Sequence, residues 1–207
     1  MATFDDAQAF WDRRYADEGY IFGTEPNVFL ASQAGLFRPG MAALDVACGE
    51  GRNSVWLARQ GCRVTGFDIS PLALQKAIRL AENNSVDIRF ERADILTWEW
   101  APAAYDAVVC IFIQFAAPED RARLFRGFHA TLKTGGLVVM QGYTPEQVEF
   151  GTGGPPDRSH MYTRAMLEAA FTDFDIVHVR EHEAVLAEGT KHVGRSALID
   201  FVACKRA

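Results

Sequence analysis

The N-terminal part of the chain shows apolar side chains at helical spacing. Residues 3–16 therefore predict a helix, and Thr3 with Asp6 resembles a capping box at its start. The apolar side chains that share one face are Phe4, Ala7, Trp11 and Tyr15. A second, short helix is predicted over Val28–Leu36, before a turn at Pro39 and Gly40.

From residue 42 onward, short apolar runs alternate with helical segments. The runs that predict strands are Ala42–Ala47, Cys62–Phe67, Asp87–Arg92, Tyr105–Ile113 and Gly136–Tyr143. The helices predicted between them cover Asn53–Gln60, a segment from Ser70 to Asn83 and a segment from Pro118 to Lys133. Repeated units of this kind predict a parallel sheet with helices on both faces.

The last third of the chain has a different pattern. A helix over Thr163–Phe171 precedes two predicted strands, Asp175–Ala187 and Ser196–Lys205, with a polar turn through Gly189 and Gly194. Because no helix separates these two strands, they should pair antiparallel. The expected fold is an α/β, doubly wound, mostly parallel seven-stranded sheet that ends in an antiparallel hairpin, with an N-terminal helical lid.

Length and composition narrow the classes of protein. The 207 residues are 49% hydrophobic and 23% charged, which is typical of a globular domain with a sizeable core. We expect one domain over 1–207, with an N-terminal cap over 1–36 and a sheet core over 40–207. The net charge of −6 argues against a nucleic-acid partner, and no apolar stretch reaches the ~20 residues of a membrane span. Monomer and dimer both remain open.

The cysteines and the N-terminus bear on cellular location. Cys48, Cys62, Cys110 and Cys204 form no C-x-x-C pair and lie at no zinc-like spacing from a histidine, so we expect no metal site. Buried free thiols suit a reducing compartment. The acidic N-terminus lacks the layout of a signal peptide, and a cytoplasmic location is therefore expected.

Candidate chemistry concentrates in the segment Leu44–Asn53, between the first predicted strand and helix. Gly49 and Gly51 allow a tight turn and a close approach of backbone to a ligand. Asp45 lies inside the first strand, Asp68 ends the second, and Asp94 follows the third. Because the carboxyl ends of parallel strands share one edge of a sheet, these three carboxylates should converge on one crevice.

Three acids around a glycine turn suit S-adenosylmethionine. That molecule carries a sulfonium, an ammonium, a ribose diol and an adenine amine, but no phosphate. The acids would supply acceptors and negative potential, and the N-terminus of the first sheet helix would face the methionyl carboxylate. A pyrophosphate-containing cofactor would favour fewer acids here and a third glycine at Asn53.

At these residues the chain resembles a known family. Leu44–Asn53 is similar to the first motif of class I S-adenosylmethionine-dependent methyltransferases, which have a Rossmann-like fold. The run Cys48–Ala58 is especially similar to the small bacterial tellurite-resistance (thiopurine-methyltransferase-like) branch, and Tyr105–Val109 and Leu132–Leu137 resemble the family's fourth strand and the turn before its fifth. The segments Trp11–Tyr15 and Tyr20–Asn27 resemble the N-terminal cap of small bacterial members, with Tyr20 followed by Ile, Phe and Gly23.

The resemblance implies a role for each cofactor-site residue. The residues implied to line the methionyl part are Asp45, Ala47, Cys48, Gly49, Gly51 and Asn53. Asp68 would bind the ribose hydroxyls, and Ile69 would contact the adenine ring. Asp94 would accept from the adenine amine, and the Ile95 backbone amide would donate to adenine. Ile111, after the fourth strand, would line the bottom of the methyl-transfer site. Tyr20 and Gly23 would close over the cofactor.

The acceptor is much less constrained. Ile111–Phe115 lacks the Asn/Asp-Pro-Pro-Tyr-like motif of members that methylate amines of proteins or nucleic acids, and it offers no base. We therefore expect a small, soft acceptor, either a thiol or, by family analogy, a tellurium or selenium oxyanion. The loop 151–162 is the candidate for binding it, since loops at this edge carry specificity. Its candidate residues are Arg158, His160 and Tyr162, with Arg195 from the final turn; the catalytic residue is unassigned.

Several other charged residues are expected to lie at the surface. Arg121, Arg123 and Arg126 should form a solvated helix face, and His178 and His182 should lie on an exposed strand face. Two further functions remain open. A nucleotide-cofactor oxidoreductase could use the same fold, and a non-catalytic S-adenosylmethionine-binding protein could keep the cofactor site alone.

Overall fold

The computed structural model describes residues 4–207, and its seven strands form one sheet in the order β3-β2-β1-β4-β5-β7-β6. The helices are α1 Phe4–Tyr15, α2 Val28–Ser32, α3 Arg52–Arg59, α4 Pro71–Asn83, α5 Pro118–Thr131, α6 Gln147–Phe150 and α7 Arg164–Ala170. The strands are β1 Ala42–Val46, β2 Arg63–Asp68, β3 Ile88–Arg92, β4 Tyr105–Ile111, β5 Leu132–Tyr143, β6 Phe174–Glu188 and β7 His192–Lys205. Short 3₁₀ helices cover Ala34–Leu36 and Arg158–His160. The predicted fold class is confirmed.

The chain divides into two compact units. The first contains the described residues up to Trp98 together with Glu188–Lys191, and the second contains Glu99–Ala187 with His192–Ala207. The predicted single domain over 1–207 therefore remains a prediction. The capping box at Thr3 lies outside the described residues.

In the first unit, β1, β2 and β3 are parallel neighbours. Ser70 caps α4 by accepting a hydrogen bond from the Ala73 amide, with Pro71 at the first helical position, as the sequence predicts. An aromatic and aliphatic cluster of Tyr15, Ile21 and Ala73, joined by Trp11, packs the N-terminal segment on this unit. The carboxyl ends of three strands therefore meet at one edge, beside the N-terminal segment.

In the second unit, β4 and β5 are parallel, and β7 runs antiparallel to β5. Phe128, Phe171 and Phe201 are fully buried in its core. β4 ends at Ile111, two residues earlier than predicted, because Phe112 turns the chain with a φ of +57°. This left-handed backbone is uncommon for a bulky residue and stores strain.

The hairpin turn is shorter than the sequence predicts. β6 continues to Glu188 and β7 begins at His192, so Gly194 lies inside β7 and not in the turn. The Ala197 amide donates to the Gln147 side chain, and the Arg195 carbonyl accepts from Thr152. These bonds from neighbouring segments keep the start of β7 extended in spite of its glycine.

Two surface predictions need correction. Arg123 and Arg126 are exposed, but Arg121 is half-buried, because its guanidinium donates to the Ser159 carbonyl at 2.7 Å. Burial lowers the pKa of Arg121. His182 is also largely covered, and its Nε2 lies 2.8 Å from the buried Asp200 carboxylate. Within the described residues, no helix is long and apolar enough to cross a membrane.

Candidate functional site

The glycine loop, residues 47–53, connects β1 to α3 in the first unit. Ala47 has a φ of +49° and Gly51 a φ of +85°, so the backbone reverses within five residues. A side chain at Gly51 would place its Cβ 2.7 Å from the Cβ of Ala77 in α4. Gly51 is therefore required both by its left-handed backbone and by the close approach of α4. Its place at the N-cap of α3 leaves backbone amides of that helix directed at the loop.

Asp45 is a buried acid inside β1. It is 2% exposed, and one of its carboxylate oxygens accepts a hydrogen bond of 2.5 Å from the Ser54 hydroxyl. Burial raises the pKa of Asp45 to about 7, although the Ser54 bond and the Arg52 charge oppose this rise. A buried carboxylate with few donors is sensitive to any positive charge that enters its surroundings.

Asp68 ends β2 and binds two backbone amides. Its Oδ2 accepts from the Gly49 amide at 2.8 Å, and its Oδ1 accepts from the Ser70 amide at 2.9 Å. Burial raises the pKa of Asp68 to about 6 against these two bonds. The structure thus brings the glycine loop and the acid of the second strand into direct contact.

The third acid, Asp94, follows β3. Its Oδ1 accepts from the Leu96 amide at 2.9 Å, which forms a tight turn, and the side chain is half-buried. Ile95 is buried, whereas Ile69 after β2 is half-buried. Because β2 pairs with both β1 and β3, the three predicted acids follow or occupy adjacent parallel strands at one edge.

One residue of the N-terminal segment that was not predicted as a site residue lies at the glycine loop. The Tyr20 hydroxyl donates to the Lys76 carbonyl of α4 at 3.1 Å, so this phenol anchors its own segment on a helix. Tyr15 lies against the glycine loop, since its hydroxyl would lie 2.9 Å from a Cβ on Gly49. Burial raises the pKa of Tyr15, and the charges of Asp68 and Glu50 add to the rise. In the sequence, the only feature that pointed to a buried Tyr15 was its place on the apolar face of the predicted helix.

Charged residues of the glycine loop are buried and paired, which the sequence did not reveal. Glu50 pairs with Lys76 at 2.9 Å, and Arg52 pairs with Glu188 at 2.6 Å. Asn53 accepts from the Asn27 amide at 2.9 Å. The partners of Glu50 and Arg52 lie 26 and 136 positions away, beyond the reach of any local pattern. Gly23, with a φ of +77°, donates its amide to the Tyr20 carbonyl.

In the second unit, an aromatic group lies directly after β4. Ile111 is half-buried at the end of the strand, and the Phe112 ring contacts the rings of Tyr143 at 4.8 Å and His192 at 4.4 Å. The Gln114 side chain binds both the amide and the carbonyl of Tyr143. The polar groups of Gln114 are thus used to hold the segment after β4 against β5.

The candidate acceptor residues each have different neighbours. Arg158 is exposed and pairs with Glu149 at 3.1 Å, while Arg195 is exposed and lies 2.5 Å from Glu183. Tyr162 is 1% exposed and packs in the core, where burial raises its pKa. His160 is half-buried at the end of a 3₁₀ turn. Of these four residues, Arg158, His160 and Arg195 keep some solvent contact.

Comparison with known proteins gives a family match for residues 43–136, which cover β1 to β4 apart from Ala42. Residues 43–136 match the methyltransferase domain family. Over 114 residues the chain is 34% identical to the ubiquinone biosynthesis O-methyltransferase of Pseudomonas paraeruginosa, which covers 54% of this chain and 47% of that protein. Over 137 residues it is 32% identical to phosphoethanolamine N-methyltransferase 1 of Triticum aestivum, covering 63% of this chain and 26% of that protein. The chain therefore spans about half or less of the length of these curated relatives.

A solved structure extends the likeness in fold. An S-adenosylmethionine-dependent methyltransferase of Methanosarcina mazei superposes with a TM-score of 0.70 at 17% identity, covering 88% of this chain and 99% of that one. At this identity the likeness concerns the fold. It agrees with the seven-stranded sheet described above. Residues 43–136 thus match a methyltransferase domain, and the sheet that contains them has the fold of an S-adenosylmethionine-dependent methyltransferase of known structure.

Proposed function

We propose that this chain transfers a methyl group from S-adenosylmethionine to a small acceptor. One observation carries the proposal: the buried Asp68 carboxylate, at the end of β2, binds the amide of Gly49 in the glycine loop of the matched domain. This contact joins the two elements that hold the cofactor in the resemblance. The activity of the whole protein is a proposal because the curated relatives are longer.

The residues present fit the chemistry of S-adenosylmethionine. Its ribose diol would donate to Asp68, and its sulfonium and ammonium would be favoured near the buried carboxylates, because a positive charge offsets the cost of burying them. The amides at the start of α3 suit the methionyl carboxylate. We assign the methionyl part to Asp45, Ala47, Cys48, Gly49, Gly51 and Asn53.

The remaining cofactor contacts are assigned in the same way. Asp94 and the Ile95 amide would bind adenine, with Ile69 against its ring. Tyr20 and Gly23 would act indirectly, by holding the N-terminal segment in place beside the cofactor, since the Tyr20 hydroxyl is bound to α4. The assignment of Ile111 to the methyl-transfer site remains a prediction from the resemblance.

The proposed chemistry requires alignment more than proton transfer. The bound cofactor supplies an electrophilic methyl carbon on sulfur. The protein would fix that carbon in line with the acceptor atom and exclude water from it. In the segment Ile111–Phe115 no side chain ionises, and Gln114 is bound to the Tyr143 backbone. We therefore assign no catalytic base to this segment.

For the acceptor we propose a small molecule with a soft nucleophile, a thiol or a tellurium or selenium oxyanion. The absence of an ionisable group in Ile111–Phe115 supports this choice. The tellurite-resistance branch rests on the resemblance of Cys48–Ala58 alone. An oxygen nucleophile is the second candidate, because the Pseudomonas relative is named as an O-methyltransferase. The side chains we assign to the acceptor are Arg158, His160 and Arg195, with Tyr162 as a packing residue.

Two other functions are alternatives that the experiments described below would distinguish. A nucleotide-cofactor oxidoreductase is disfavoured by the matched methyltransferase domain and by the missing third glycine. In the spacing G-x-G-x-x-G that position is Ser54, one residue after the predicted Asn53, and the Ser54 hydroxyl donates to Asp45. A non-catalytic protein would bind the cofactor and methylate nothing. We also propose one functional domain over 1–207 and a cytoplasmic location.

Calorimetry with S-adenosylmethionine and S-adenosylhomocysteine tests the cofactor. We expect micromolar dissociation constants, corresponding to roughly −8 kcal/mol. Titration with NADH is the control for a dinucleotide enzyme. Release of S-adenosylhomocysteine across a panel of thiols, chalcogen oxyanions and phenols tests the acceptor. No binding of either sulfur nucleoside would contradict the proposed function, and binding without turnover on the panel would favour the non-catalytic protein.

A further inference from the structure

Glu188 is a buried acid whose carboxylate accepts from three donors in the first unit. Its Oε2 lies 2.6 Å from Nη2 of Arg52, and the side chains of this pair are 6% and 8% exposed. Its Oε1 accepts from the Asn27 side chain at 3.0 Å and from the Val28 amide at 3.3 Å. Glu188 therefore binds the glycine loop and the N-terminal segment at once.

The turn that follows Glu188 contacts the same N-terminal segment, Gly19–Asn27, which we call the cap segment. The Ile21 carbonyl accepts from the amides of Thr190 at 2.8 Å and Lys191 at 3.2 Å. Gly189 has a φ of +63°, and a Cβ there would lie 2.5 Å from the Gly23 nitrogen. The turn can approach the cap segment this closely only because residue 189 has no side chain.

The glycine loop holds the cap segment from its other side. Glu50 accepts from the Phe22 amide at 3.3 Å, and Arg52 donates to the Phe22 carbonyl at 3.1 Å. Lys76, the partner of Glu50, donates to the Gly19 carbonyl at 2.6 Å. Both peptide groups of Phe22 are thus bound by charged side chains of the glycine loop. The cap segment is fixed between that loop and the turn Glu188–Lys191.

Buried ion pairs of this kind specify position more than they add net stability. Removing two charges from water costs about as much as their attraction returns, whereas removal of one partner leaves an uncompensated buried charge. The Glu50–Lys76 pair is buried as deeply, with side chains 1% and 6% exposed. Two such pairs on one loop define a single arrangement of loop and cap segment.

We propose that Glu188 is a positioning residue for cofactor retention. It acts through Arg52, by fixing the cap segment over the glycine loop, and so sets how long a bound cofactor stays. This inference rests on the proposed function, because it assumes that S-adenosylmethionine binds at the glycine loop. It adds a residue at the far end of the chain, 136 positions from Arg52, to the determinants of that site.

The test compares Glu188→Gln with the wild-type full chain by two readouts. Hydrogen exchange of peptides that cover residues 19–28 reports the cap segment, and stopped-flow dissociation of S-adenosylhomocysteine reports retention. Gln keeps an acceptor for Asn27 and loses the charge that pairs with Arg52. We expect faster exchange in the cap segment and dissociation faster by about tenfold. Exchange of β4 and β5 peptides should be unchanged.

Two further variants separate positioning from a general loss of folding. Glu168→Gln is the matched control, since Glu168 forms an exposed ion pair with Arg164 at 2.7 Å, and it should leave both readouts unchanged. Gly189→Ala disturbs the turn without removing a charge, because its Cβ meets the backbone of the cap segment. Gly189→Ala should also accelerate both exchange in the cap segment and dissociation of S-adenosylhomocysteine. If Glu188→Gln does not fold, Gly189→Ala tests whether the contact of this turn with the cap segment controls retention.

The outcomes distinguish this inference from the proposed function. Wild-type protein that binds no S-adenosylhomocysteine overturns the proposed function and the role in retention with it. Wild-type protein that binds, with variants that open the cap segment yet retain the ligand equally long, overturns only the role of Glu188. Dissociation that accelerates equally in Glu168→Gln also overturns the role of Glu188 alone.

Discussion

The backbone amide of Gly49 donates a 2.8 Å hydrogen bond to the Asp68 carboxylate. This bond joins the loop after β1 to the end of β2, which are adjacent parallel strands. Because the same carboxylate also binds the Ser70 amide, its orientation is fixed before any ligand arrives. A preoriented acceptor loses little conformational freedom on binding, which favours tight recognition of a diol.

Asp68→Asn should weaken binding of S-adenosylmethionine by about 10- to 100-fold, because hydrogen bonds to a charged acceptor are worth about 1.5–3 kcal/mol. Calorimetry at neutral pH measures the change. Asp87→Asn, an exposed acid directly before β3, is the matched control and should bind as the wild type does. Equal affinity in a folded Asp68→Asn protein would show that the ribose is bound elsewhere.

The pKa of Asp45, raised by burial to about 7 from 3.8, makes folding pH-dependent. The folded state holds the proton more tightly than the unfolded chain does. The contribution of Asp45 to the unfolding free energy is therefore complete below about pH 4 and is lost as the pH rises to about 7. Urea unfolding of the wild type and Asp45→Asn between these values should show a shrinking advantage for the wild type. An advantage that grows with pH would contradict the buried, protonated acid.

Arg158→Ala should raise the KM for the acceptor and leave cofactor affinity unchanged. Arg158 is exposed, and its only ion pair in the described structure is with the exposed Glu149. An anionic acceptor could therefore replace Glu149 at little cost, since exposed pairs contribute little to stability. Glu149→Gln should lower the acceptor KM by freeing the guanidinium. Steady-state kinetics with the best acceptor of the panel measures both, and an unchanged KM in both variants would remove Arg158 from the acceptor site.

His182→Ala should destabilise the second unit by about 1–3 kcal/mol, because it leaves the buried Asp200 carboxylate with fewer donors. Asp200 also accepts from the Gln141 side chain at 2.6 Å, and this bond remains in the variant. Urea denaturation measures the loss. Val185→Ala, at a position of the same strand that is 76% exposed, serves as the comparison and should change the unfolding free energy less. Equal effects would show that the contact of His182 with Asp200 adds no stability.

Local patterns in the sequence determined most of the sheet and the cofactor half of the candidate site. Strand periodicity and helix start signals predict β1 to β5 within a few residues, since both depend on neighbouring positions. Gly49, Gly51 and Asp68 were identifiable because a tight turn and a strand-end acid need those residue types. Asp68 at the end of β2 and Asp94 after β3 could be assigned to one edge because parallel pairing aligns strand ends.

Tertiary structure alone decided which charges are buried and what they bind. Nothing in the sequence distinguishes Glu50, Arg52 and Glu188 from solvated surface residues, since an ion pair depends on three-dimensional distance and the partners lie far apart in the chain. The end of β4 at Ile111 was also hidden, because Phe112 adopts a left-handed backbone that its residue type disfavours. His182 likewise became a partner of Asp200 only when β6 and β7 came together. Residue type and spacing set the local elements, whereas long-range packing set the electrostatics of the site.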